Sequence, residues 1–110
     1  MYNDLVTEIG NKTALLETAI RELGKRGMAY AEAEKEYRIA LAKKELQERE
    51  KGTPVTIISD ICRGSDSIAT MRFKRDCALV VYKNAQEAVN AYKLEIKILD
   101  NQLSREWNNA

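Results

Sequence analysis

From Ile68, steps that alternate between three and four residues land on Met71, Arg75, Ala78, Tyr82, Ala85, Val89, Tyr92, Ile96, Leu99, Leu103 and Glu106. Arg75 is the one charged interruption before the end. A side-chain seam with this spacing belongs to a long helix that pairs along one edge. No Pro or Gly breaks it, and Ser65 or Asp66, following Gly64, can cap its start. A helix over 66–107 with such an edge must bury it against something, and the rest of the chain is the nearest candidate.

Residues 2–51 predict a first long helix, with Asn3 or Asp4 as its cap. The same walk gives Tyr2, Val6, Ile9, Thr13, Leu16, Ile20, Leu23, Gly27, Tyr30, Glu34, Tyr37, Leu41, Lys44 and Glu48. Gly10, Gly24 and Gly27 each cost about 1 kcal/mol against Ala in a helix interior, so a kink around Gly24–Gly27 is an alternative. Between the helices lies a connector, 52–65. Gly52 suits a helix C-cap and Pro54 forbids continuation. The β-branched run Val55-Thr56-Ile57-Ile58 then predicts an extended segment lying along the helices, or a lone strand pairing with another copy. Asn108-Asn109-Ala110 is expected to fray.

The resulting fold is all-α: one domain, a long antiparallel two-helix hairpin of coiled-coil type. With the connector as the bend, facing positions sum to about 112, which pairs Ile9 with Leu103, Leu16 with Ile96 and Leu23 with Val89. Glu34 and Arg75 fall within a turn of each other on opposite helices and are expected to pair. A second apolar stripe remains. It reads Phe73, Cys77, Val80, Ala91, Leu94 and Ile98 on the second helix, and Met28, Ala31, Ile39, Ala42 and Leu46 on the first. Either the connector covers its Phe73 and Ile39 end, or hairpins pack into a four-helix assembly, a dimer being favoured.

Chemistry is sparse. The chain has no His, which removes His-based acid–base work and His metal sites, and it has no phosphate-cradling glycine motif. Asp60 and Asp66 read as a loop polar residue and a helix cap rather than metal ligands. Cys62 and Cys77 are too far apart in sequence for a redox pair and read as free thiols, Cys77 as packing on the outer stripe. No enzyme activity, cofactor or metal is expected. A net charge of +1 is neither the excess of a generic polyanion binder nor the deficit of a nucleic-acid mimic. No stretch is apolar enough to span a membrane, so a cytoplasmic protein is expected.

Two surfaces stand out. Val55, Ile57, Ile58, Ile61 and Arg63, with Phe73 and Lys74 beside them, combine apolar and basic character outside the main seam and form the candidate contact surface for a protein partner. A basic cluster of Lys43, Lys44, Arg49, Lys51, Arg63, Arg72, Lys74 and Arg75 is the candidate for nucleic acid. Glu45, Glu48, Glu50, Asp60, Asp66 and Asp76 stand among those cations and offset most of them.

Phe73-Lys74-Arg75-Asp76, Tyr82-Lys83 with Ala85-Gln86-Glu87-Ala88, and Tyr92-Lys93-Leu94-Glu95 lie within residues 54–107. This stretch resembles small helical proteins encoded by phages and prophages of Gram-positive bacteria. The resemblance implies a bacterial host cytoplasm and an accessory role. Such a protein would bind a host or phage protein and inhibit or modulate it, as an inhibitor of a defence complex such as a CRISPR effector does. A nucleic-acid accessory factor in phage replication or recombination, and a structural coiled-coil component, are the other readings.

Overall fold

The computed structural model describes residues 1–109 and is all-helical among them: α1 Tyr2–Glu50, α2 Val55–Gly64 and α3 Asp66–Asn108. The expected two-helix fold is therefore corrected to three helices. By contact density the chain forms two compact units. One joins Met1–Arg26 to the chain from Tyr82 onward, and the other is Gly27–Val81.

The end of α1 follows from Gly52. Its φ of 83° lets Gly52 N–H reach the Arg49 carbonyl and Thr53 N–H reach the Glu48 carbonyl, each at 3.1 Å. That is the Schellman arrangement, which only a residue free of a Cβ adopts without strain. Thr53 also donates its hydroxyl to Glu48 Oε2 at 2.8 Å. Pro54 then stands just ahead of α2, where its missing N–H is no loss.

The segment expected to be extended or a strand is helical instead. β-propensity is a weak preference that packing overrides. Here the decisive pattern is Ile58 and Cys62, four apart on one helix face, 6% and 0% exposed. A ten-residue helix is marginal alone, so this burial is what holds it. Ser65 alone separates α2 from α3. Its hydroxyl donates to the Cys62 carbonyl at 2.8 Å, and its own carbonyl accepts Ala69 N–H at 2.8 Å. α1 starts at Tyr2, so Asn3 and Asp4 lie inside its first turn rather than capping it. α3 extends through Asn108, and Asn109 N–H still donates to the Arg105 carbonyl. Ala110, the last residue of the expected frayed tail, lies outside the described residues.

Every position of the α3 seam from Ile68 to Glu106 is at least partly shielded, with Ile68, Val89 and Leu99 buried. α1 is uninterrupted across Gly24–Gly27, but its seam needs correction. Val6, Thr13 and Ile20 are exposed, and Leu5, Lys12 and Ala19 take their place beside Ile9, Leu16 and Leu23. From Gly27 onward the expected positions are all shielded, through Tyr30, Tyr37 and Leu41 to Glu48. Two consecutive steps of four, Ala19 to Leu23 to Gly27, mark a stutter in the heptad spacing. The register differs accordingly. In Gly27–Val81 the Arg75 guanidinium lies 4.7 Å from the Tyr37 ring centroid, a pair summing to the expected 112. In the other unit Lys12 meets Glu95 at 3.0 Å and the Tyr2 ring meets Trp107 at 5.9 Å, pairs summing to 107 and 109.

The outer stripe is not covered by α2. Phe73 is 68% exposed and Ile39 46%. Cys77, expected to be packed, is exposed as well.

Candidate functional site

The strongest concentration of unspent chemistry lies in Gly27–Val81, where arginines from three helices converge. Arg38 comes from α1, Arg63 from the last turn of α2, and Arg72 and Arg75 from α3. With Tyr37 and Leu41 they line a cavity of about 180 Å³. Local sequence explains the placement. Tyr37 and Arg75 are seam positions, so Arg38 and Arg72 stand at the seam's edge. Arg63 directly follows buried Cys62 on α2.

Two of the four cations are already engaged. Arg75 Nη1 lies 3.3 Å from Glu34 Oε2 as an ion pair, and Nη2 donates to Asp76 Oδ1 at 2.8 Å, while its Cζ sits over the Tyr37 ring. The hydrogen bond that Arg75 donates to Asp76, then the charges of Asp76 and Glu34, hold the Arg75 guanidinium protonated above its ordinary range. The expected pairing of Glu34 with Arg75 is thus present. Arg38 Nε donates to the same Glu34 at 2.6 Å. Arg63 and Arg72 have no ion-pair partner among the described residues and are exposed. Four guanidinium groups against Glu34 and Asp76 leave an uncompensated positive balance. Guanidinium forks suit carboxylate or phosphate oxygens.

The candidate contact residues fall at separate places. Ile57 and Ile61, 43% and 41% exposed, share one edge of α2 by their i, i+4 spacing. Arg63 lies on the other edge, at the arginine cavity. Val55 is 78% exposed beside Pro54, and Phe73 stands on the outer stripe of α3. Ile58 is core, not contact surface: it faces inward with Cys62. Lys74 lines a small separate cavity with Ala33, Glu36 and Met71.

The nucleic-acid candidates divide too. Glu48, 8% exposed overall, gathers Lys44 at 3.8 Å and Lys51 at 3.5 Å, so neither cation is free. Its carboxyl is held below the ordinary value by the Thr53 hydroxyl first, then by Lys51 and Lys44. Lys43 and Arg49 are exposed. Sequence reasoning misses Arg38, which stands on α1 outside the basic cluster read at the connector end. Its adjacency to seam residue Tyr37 was the available signal.

Buried Cys62 is pushed up from the usual thiol value, mainly by desolvation and then by Glu45 and Glu48, which suits packing rather than nucleophilic work. No helix among the described residues is long and apolar enough to cross a membrane. Compared with family models, curated proteins and solved structures, the chain matches none.

Proposed function

We propose that this chain is a non-enzymatic accessory protein of phage type, which binds a protein partner and inhibits or modulates it. The contact surface is the arginine cavity together with the apolar residues exposed on α2. The observation that carries the reading is the pair Arg63 and Arg72, uncompensated beside Arg38 and Arg75, on the same unit as exposed Val55, Ile57 and Ile61. Such a surface fits a partner segment that presents acidic side chains beside apolar ones. The carboxylates would take the guanidinium forks and the apolar residues the edge of α2. The phage setting rests on the resemblance over residues 54–107. Self-association of antiparallel, coiled-coil-like hairpins into a four-helix dimer belongs to the same reading. It is supported by the outer stripe that the chain leaves uncovered.

The test is capture of partners from a bacterial lysate treated with nuclease, using the intact chain and an Arg63→Glu, Arg72→Glu variant. One stoichiometric protein, lost in the variant while helicity is unchanged, is the expected result. Equal capture by both would remove the arginine cavity from the contact surface.

Nucleic-acid binding is the second reading, favoured by the same uncompensated arginines with exposed Lys43 and Arg49. Capture that disappears with nuclease, and affinity that falls steeply with salt, would select it.

A further inference from the structure

α3 carries two seams on opposite sides. Adding two to the inner positions Met71, Arg75, Ala78, Tyr82, Ala85, Val89, Tyr92 and Ile96 gives an outer line that starts at Phe73 and ends at Ile98. Two residues turn a helix by about 200°, so the lines lie nearly back to back. The outer one keeps heptad spacing throughout and is exposed throughout: Phe73 68%, Val80 57%, Leu94 59% and Ile98 50%, with Cys77, Asn84, Glu87 and Ala91 also exposed.

Reversed on itself, this line is its own complement. About a point between Asn84 and Glu87, Phe73 meets the partner's Ile98, Cys77 the partner's Leu94, and Val80 the partner's Ala91. Asn84 meets the partner's Glu87, an amide donor against a carboxylate acceptor. The flanking charges agree. On one side Asp76 faces the partner's Lys97, and on the other Lys74 faces the partner's Glu95. Each contact occurs twice by symmetry, as a two-fold interface requires. Lys74 and Lys97 have no ion-pair partner among the described residues, while Asp76 and Glu95 already hold Arg75 and Lys12 with side chains that stay 53% and 45% exposed. A parallel, in-register pairing would set Glu87 against the partner's Glu87 and bring no opposite charges together at the flanks.

We infer that α3 pairs antiparallel with α3 of a second copy along this outer line, the two-fold axis passing between Asn84 and Glu87. The inference rests on the self-association proposed above and supplies its face, direction and register.

The mass of the chain in solution tests association, and thiol cross-linking tests register. Sedimentation should give twice the 12.5 kDa chain mass. Leu94→Glu should give a monomer with unchanged helicity. Asp76→Lys should weaken the dimer roughly tenfold, and Asp76→Lys combined with Lys97→Asp should restore it. In this register Cys77 and the partner's Cys77 are about 25 Å apart, at 1.5 Å per residue. A short bismaleimide should therefore leave the native dimer unlinked, buried Cys62 being out of reach. It should link the Leu94→Cys variant through Cys77. Monomeric native protein would overturn both self-association and register. A native dimer linked through Cys77 to Cys77, or one indifferent to Leu94→Glu, would overturn the register and leave self-association standing.

Discussion

Arg75 is the charged intrusion in an otherwise apolar seam, and its replacement by Ala gives the sharpest test of what holds the Gly27–Val81 unit. A buried ion pair broken on one side typically costs 3–5 kcal/mol, because the surviving charge is stranded. The geometry here argues for less. Glu34 keeps Arg38 Nε at 2.6 Å when Arg75 goes, and Asp76 is 53% exposed and returns to water. What disappears is the guanidinium face 4.7 Å above Tyr37, about 1 kcal/mol for a part-desolvated cation–π contact. The packing of the aliphatic stem adds roughly another 1 kcal/mol. Arg75→Ala should therefore destabilise by about 2 kcal/mol, and Arg75→Met, which keeps a stem, by about 1 kcal/mol. Urea unfolding followed by far-UV circular dichroism measures both. A double-mutant cycle with Glu34→Ala should return a coupling below about 1 kcal/mol, since each partner keeps another contact. A loss above about 4 kcal/mol, with coupling above about 2 kcal/mol, would show that Glu34 depends on Arg75 alone and refute the shared-partner reasoning. No loss in either variant would refute the contribution of the Tyr37 contact.

Two further outcomes follow from local geometry. A Cβ added at Gly10 or Gly24 meets nothing within 4 Å, so Gly10→Ala and Gly24→Ala should each stabilise α1 by about 1 kcal/mol. Thermal melts of each variant check this, and a lowered midpoint would mean that another surface packs closely on that glycine. Glu48 ionises below its usual 4.5, so its contribution is present above that value and is lost as pH falls through the folded-state value. Unfolding curves at several acid pH values should show Glu48→Gln removing part of that slope, and parallel pH profiles for the two proteins would contradict it.

The legible part of the fold was the part with strict periodicity. Every α3 position that strict alternation from Ile68 names is shielded, because that seam keeps its spacing and nearly all its members are apolar or aromatic. The alternation fails on α1 before Leu23. There Val6 and Ile20 outrank Lys12 and Ala19 in hydrophobicity, yet Lys12 and Ala19 are the shielded ones. A fixed walk cannot represent a stutter, so it carried the phase that is correct after Gly27 back into a segment with another phase. The connector reads as a strand for a related reason. Four β-branched or apolar residues in a row after Pro54 look like a strand, and the spacing that makes a helix of them, Ile58 to Cys62, becomes visible only when Cys62 counts as core.

The candidate site was less legible, because its members share no stretch of sequence. Arg63 and Arg72 stand out in the sequence as basic residues, but in a cluster whose acidic members offset most of its charge. Packing separates that cluster. Glu48 draws off Lys44 and Lys51, and Asp76 and Glu34 draw off Arg75, while α2 turns Arg63 toward Arg72 and brings in Arg38 from α1. The charge available to a partner therefore depends on α2 being helical. An extended connector would place Arg63 at no fixed position relative to Arg38. A change that unfolds α2 while sparing α1 and α3 should abolish partner capture as completely as reversing Arg63 and Arg72 is expected to.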